Sequence, residues 1–127
     1  MRKKIWSIAI TLPLVLAFGI GSMAFTRHLS TAYKETVERA EDSVRAGEYE
    51  AAGSVLAKLA EEWEASEKVL RLWVPHTDTD GVTIHLKEAR AGIALRDETM
   101  CAEHLTALLE ALDHLHHRDD LTIENIL

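Results

Sequence analysis

Residues 49–73, YEAAGSVLAKLAEEWEASEKVLRLW, put Tyr49, Ala52, Leu56, Leu59, Trp63, Ser66, Leu70 and Trp73 at alternating steps of three and four. That spacing returns to one side of a helix at every turn, so the stretch predicts a helix whose seam faces other helices. Glu61, Glu62, Glu64, Glu67 and Lys68 fall off the seam, where a solvent-facing side needs them. Pro75 is the expected stop, because proline drives the residue before it out of the helical region. Trp63 and Trp73 share the stripe, which reads as core.

The flanking segments carry the same period. Upstream, Leu29, Ala32, Tyr33, Val37, Ala40 and Val44 predict a helix over about 29–46, with Gly47 as its C-terminal stop. Ser30 either caps this helix or lies within a longer one arriving from the N-terminus; the sequence leaves both open. Downstream, residues 76–81 (His-Thr-Asp-Thr-Asp-Gly) read as a polar connection, with Thr79 or Asp80 capping a third helix over about 82–96. Its apolar side is Val82, Leu86, Ala89 and Ile93, with Ile84 and Ala91 beside it. Asp97 is the expected cap of a fourth helix, where Cys101, Leu105, Leu108, Leu112 and Leu115 form the stripe, supported by Met100 and Leu109. Arg118-Asp119-Asp120 is expected to break that helix, and the apolar tail 121–127 to dock on the bundle. No long segment reads as strand. Short connections between amphipathic helices favour antiparallel neighbours, so the fold class is all-α, an antiparallel four-helix bundle.

The bundle has a membrane helix in front of it. Arg2-Lys3-Lys4 precedes an uncharged, mostly apolar run from Ile5 to Phe25, and charge returns at Arg27. A helix needs about 20 such residues to cross the hydrocarbon core. Pro13, Gly19 and Gly21 are tolerated in lipid, where the helix satisfies its own backbone. The basic flank holds the N-terminus in the cytoplasm, which sends the rest of the chain outside. The organisation is then residues 1–28 as cytoplasmic N-terminus and transmembrane anchor, and 29–127 as an extracytoplasmic helical domain. Ser22-Met23-Ala24 also fits a signal-peptide cleavage site after Ala24, which would release a secreted soluble domain.

Charge narrows the partners. The chain has 14 Lys and Arg against 21 Asp and Glu, a formal net of −7. Three of the basic residues precede the apolar run, leaving 11 against 21 beyond it, a net of −10. That sign repels nucleic acid and anionic lipid headgroups. The single cysteine, Cys101, excludes an intramolecular disulfide and reads as a buried, inert thiol.

An N-terminal anchor, Trp63 and Trp73 ten residues apart, His76 three residues after the second, and a terminal Asn125-Ile126 form a pattern. It resembles domain-of-unknown-function family 4363, small membrane-anchored proteins of spore-forming and related Gram-positive bacteria. The resemblance spans essentially the whole chain and implies an anchored, all-helical architecture; it implies no reaction. The family pattern often carries an acidic residue just before the histidine, where this chain has Pro75.

No Gly-rich phosphate loop, GxSxG or HExxH is present, so no enzyme and no cofactor is expected. Two site readings remain. Aromatic and polar residues converge on Trp73, His76, Asp78 and Asp80, which marks a rim for binding another protein of the cell envelope. Seven histidines invite a metal reading, with His76, His85, His114 and His117 as ligands, imidazole suiting zinc, nickel or copper. Histidines near a helix C-terminus, His114, His116 and His117, also complement the helix dipole without any metal. Asp78-Thr79-Asp80-Gly81 lacks the length and terminal Glu of an EF-hand.

Overall fold

The computed structural model describes residues 2–126, with side chains described through Leu115. Four helices follow in order: α1 (Arg2–Arg45), α2 (Tyr49–Leu70), α3 (His76–Ala94) and α4 (Glu98–Ile126). No strand occurs among the described residues. Each helix packs on its chain neighbours, and α1 closes the ring against α4. The fold is the all-α bundle the periodicity predicts.

The apolar run and the first bundle helix are one element. α1 runs for 44 residues without interruption, so the boundary drawn at residue 28 falls inside it and no linker separates the two parts. The open question at Ser30 has a packing answer. Its side chain is fully buried within the helix, and its hydroxyl donates to the carbonyl of Leu112 at 2.6 Å. A hydroxyl with a partner across the bundle has no need to cap. Thr26, also fully buried, donates back to the Ser22 carbonyl at 2.8 Å. N-terminal to Phe18 the helix stands clear of the bundle, and Ile5, Leu12 and Leu16 are exposed, as is Ile20 above them.

The seam residues form the core as read. Ala52, Leu56, Leu59, Trp63 and Leu70 of α2 are buried against Val37, Ala40 and Val44 of α1 and Val82, Leu86, Ala89 and Ile93 of α3. Cys101, Leu105, Leu108, Leu112 and Leu115 of α4 complete it. Burying each such Leu, Val or Ile contributes about 1.5–3 kcal/mol. Ser66, the polar member of the seam, meets the Tyr33 hydroxyl at 2.5 Å. The Trp63 indole donates to the Thr83 hydroxyl at 2.9 Å, tying α2 to α3.

The helix ends show where local signals were outweighed. Gly47 at φ 77° closes α1, with Glu48 N bonded to Ser43 O and Gly47 N to Val44 O, the paired bonds of a Schellman stop. Arg96, at φ 53°, repeats the same geometry after α3 without a glycine. Asp97 caps α4 as expected, accepting from Met100 N at 3.1 Å. By contrast, α2 ends at Leu70 and not at Trp73; residues 71–74 wind into a tight turn ahead of Pro75. Pro75, at φ −57° and ψ 143°, then leads directly into α3. Residues 76–81 are therefore the first turns of α3, not a connection, and neither Thr79 nor Asp80 is its cap. Thr79 is buried, its hydroxyl donating to the His76 carbonyl, and Gly81 faces Ala111 of α4. Tertiary packing thus overrides the turn-like composition. Arg118-Asp119-Asp120 does not break α4, whose backbone stays helical to Ile126. The expected docking of the tail concerns side chains outside the described residues.

Candidate functional site

Two constellations result from this packing. The first surrounds the α2–α3 turn. Trp73 is half-buried, and its indole Nε1–H donates to the Thr26 hydroxyl at 2.8 Å. The rings of Phe18 and Phe25 meet it edge-on, with centroids 6.0 and 5.9 Å away. The Arg71 guanidinium bonds Glu67 Oε1 at 2.5 Å and Asp80 Oδ1 at 3.0 Å, bracing the turn against both helices. His76 and Asp80 are exposed on the first turns of α3, and Asp78 is half-buried. Of the four rim residues, Trp73 is turned toward α1 and Asp80 toward Arg71, whereas His76 faces outward.

The second constellation lies between α3 and α4. His104 Nδ1 sits 2.8 Å from Glu88 Oε2, and His85 Nδ1 sits 3.7 Å from the same oxygen. The two imidazoles stack, with centroids 6.2 Å apart and planes 29° from parallel. The His85 Nδ1 atom is buried and has no hydrogen-bond partner. One ligand atom from each of His85, Glu88 and His104 falls within 4.8 Å of the others. Two imidazoles and a carboxylate suit zinc and its neighbours in the first transition row.

Of the four histidines singled out in the sequence, only His85 belongs to this group. His114 lines the adjoining cavity of about 290 Å³ together with Asp78 and His85. His76 lies outside both, and the side chain of His117 is outside the described residues. Glu88 and His104 were missed. His85 and Glu88 are three apart on one helix side, and a hairpin centred on Arg96 sets 104 as far behind the turn as 88 is ahead of it. That pairing was the available signal.

Burial and chemistry separate these groups from Cys101. Its thiol is fully buried, and desolvation, reinforced by Asp97 and Glu98, pushes its pKa up. A thiol held protonated is a poor nucleophile. Tyr33 likewise has its pKa raised by burial, with the Ser66 hydrogen bond opposing and Glu62 adding.

One helix among the described residues, α1, is long and apolar enough to cross a membrane, a test that a signal sequence also passes. No curated protein and no solved structure matches the chain. A family profile described as Domain of unknown function (DUF4363) matches residues 21–126, from the C-terminal part of the apolar run to the end of α4. Trp63, Trp73, His76, the bundle seam and Asn125-Ile126 all fall within that match, and the chain belongs to the DUF4363 family.

Proposed function

We propose that this is a single-pass membrane protein that acts without catalysis. In this reading the N-terminus is cytoplasmic, and the acidic bundle stands outside the cell membrane and binds another envelope protein. The observation that carries the reading is the continuity of α1. Its exposed apolar half leads without a linker into the bundle core through Thr26, Ser30 and Tyr33. A domain joined in this way is held at a fixed height above the span, which suits presenting a surface to a neighbour. The surface favoured is the flank of α3 at His76, Asp78 and Asp80 beside Trp73, where His76 is free to face outward.

The test is a photoreactive residue at position 76, activated in native membranes, with the adduct identified by mass spectrometry. One stoichiometric protein partner is the expected result, its yield reduced by Asp80→Ala. No adduct from well-expressed, membrane-integrated protein would overturn this surface. N-terminal sequencing of the same material separates the anchored form from a secreted one, which would begin at Phe25 after loss of Phe18 and its contact with Trp73.

A second reading, a metal-binding envelope module, is favoured by one observation: the unpartnered Nδ1 of His85 beside Glu88 and His104. Metal that binds only the folded state raises the melting temperature by mass action. Zinc should then raise the Tm of wild type and His114→Ala, but not of His104→Ala. A shift that survives His104→Ala would exclude this ligand set.

A further inference from the structure

The α2–α3 turn reaches below the end of the apolar run on α1. Trp73 contacts Phe25 and also Phe18, seven residues nearer the N-terminus. Seven helical residues rise about 10 Å. The run Ile5–Phe25 is about as long as the hydrocarbon core is thick, so a membrane filled by that run reaches the level of Phe25 and encloses the level of Phe18. The turn that touches Phe18 is therefore at the membrane boundary.

Three features of the turn suit that position. Leu72 is 77 % exposed and Val69 is 42 % exposed, three positions apart, so the end of the bundle nearest the anchor presents apolar side chains outward. The backbone N–H groups of the turn are bonded internally: Arg71 N bonds Glu67 O, Leu72 N bonds Val69 O, and Trp73 N and Val74 N both bond Leu70 O. Pro75 has no N–H to satisfy. No backbone N–H of residues 71–75 is then left open toward lipid, where an unmet polar group is costly. Finally, Arg71, the one charge in the turn, is held by Glu67 and Asp80, and the Trp73 indole is an amphipathic ring of the kind enriched at headgroup level.

We propose that the 71–75 turn is a second membrane contact, with Leu72 and Val69 in the outer-leaflet boundary and Trp73 at the headgroups. The proposal rests on the reading of α1 as a membrane span. The partner is a bilayer surface met through apolar contact. With a domain net charge of −10, electrostatic attraction to anionic lipid is not its source. The contact gives the bundle two points of attachment, α1 and the turn, and fixes its tilt as well as its height.

The test places a nitroxide on Leu72→Cys in the full chain, reconstituted in phosphatidylcholine nanodiscs. Labels at Leu12→Cys and Leu95→Cys serve as references for the span and for the far end of the bundle, where Leu95 is 72 % exposed. All three positions are exposed, so the substitutions leave the core intact, and buried Cys101 does not compete for label. The expected result is an oxygen-to-nickel-chelate collision ratio at Leu72 several-fold above that at Leu95, approaching Leu12, and unchanged in high salt. A Leu72 label as open to the chelate as Leu95, with Leu12 still in lipid, overturns the proposal and spares the anchor. A Leu72 label shielded from both reagents means that protein, a second copy or another partner, covers the turn, and also overturns it. A Leu12 label in water removes the anchor reading, and the proposal with it.

Discussion

The indole of Trp73 donates to the hydroxyl of Thr26 across 2.8 Å, although 47 residues separate them in the chain. Thr26 is the first residue beyond the apolar run and is fully buried. The bond therefore ties the α2–α3 turn to the point where α1 passes from its apolar run into the bundle. Thr26 also donates to Ser22, so one hydroxyl serves both the helix and the clamp. Thr26→Val keeps the shape, removes the acceptor and leaves a part-buried N–H unmet, which costs about 1–3 kcal/mol. Thr26→Ser should recover most of that loss. Urea unfolding of the full chain in detergent, followed by Trp fluorescence, checks the difference.

Two helix-interior glycines should respond in opposite ways to a methyl group. At Gly53 an added Cβ meets only Ile93 Cγ2 at 3.6 Å, an ordinary contact. Gly53→Ala should therefore show the full propensity gain of about 0.8–1 kcal/mol. At Gly92 the added Cβ meets the Cys101 backbone nitrogen at 3.1 Å and Cys101 Sγ at 3.3 Å. Here α3 and α4 approach through the glycine, and Gly92→Ala must push the helices apart. Thermal unfolding of both variants should show Gly53→Ala above wild type and Gly92→Ala below it.

Truncation in the α4 stripe tests the core. Leu108 is fully buried in the central cluster. Leu108→Ala should lower stability by about 2–5 kcal/mol, the range for a buried leucine that leaves a cavity. Truncating exposed Ile84 should cost less than about 0.5 kcal/mol, as surface substitutions do. Equal losses at the two positions would contradict the packing of α3 on α4.

Alkaline pH should destabilise the bundle from two residues. Burial raises the pKa of Cys101 and of Tyr33 above their unfolded values. As pH rises, the unfolded chain loses these protons first, so the folded state binds more protons and stability falls with pH. Both contributions are fully present below the unfolded pKa values. The Cys101 contribution begins to fall above its ordinary value of 9.0 and the Tyr33 contribution above 10.0. Cys101→Ala should flatten the first part of that decline. In the folded protein at pH 8, Cys101 should also resist a thiol reagent that modifies it at once in denaturant.

The seam of α2 and the stripes of α1, α3 and α4 were legible because each buries one side of a regular helix, and the period survives in the residue order. The start of α3 was not. Thr77, Asp78, Thr79, Asp80 and Gly81 are turn formers by local preference, and only the burial of Thr79 and the approach of Gly81 to Ala111 make them helical. Arg96 in a left-handed conformation gave no glycine signal for its stop. At the site level, Trp73 stood out by type, but its turn toward Thr26 depends on α2 ending at Leu70, which the unbroken three–four spacing concealed. His104 was invisible for another reason: its partners, His85 and Glu88, lie on a different helix, and only the hairpin brings them together.

The central claim is that α1 crosses the membrane and enters the bundle as one helix. A dipolar distance between nitroxides at Leu12→Cys and Asp42→Cys, in nanodiscs, tests it most directly. An unbroken helix sets these positions about 45 Å apart, from 30 residues at 1.5 Å each. The account predicts a single narrow distribution at that distance. A broad or much shorter distribution would show a joint between anchor and domain, and loss of all dipolar coupling would show a chain cut between the two labels; either result contradicts it.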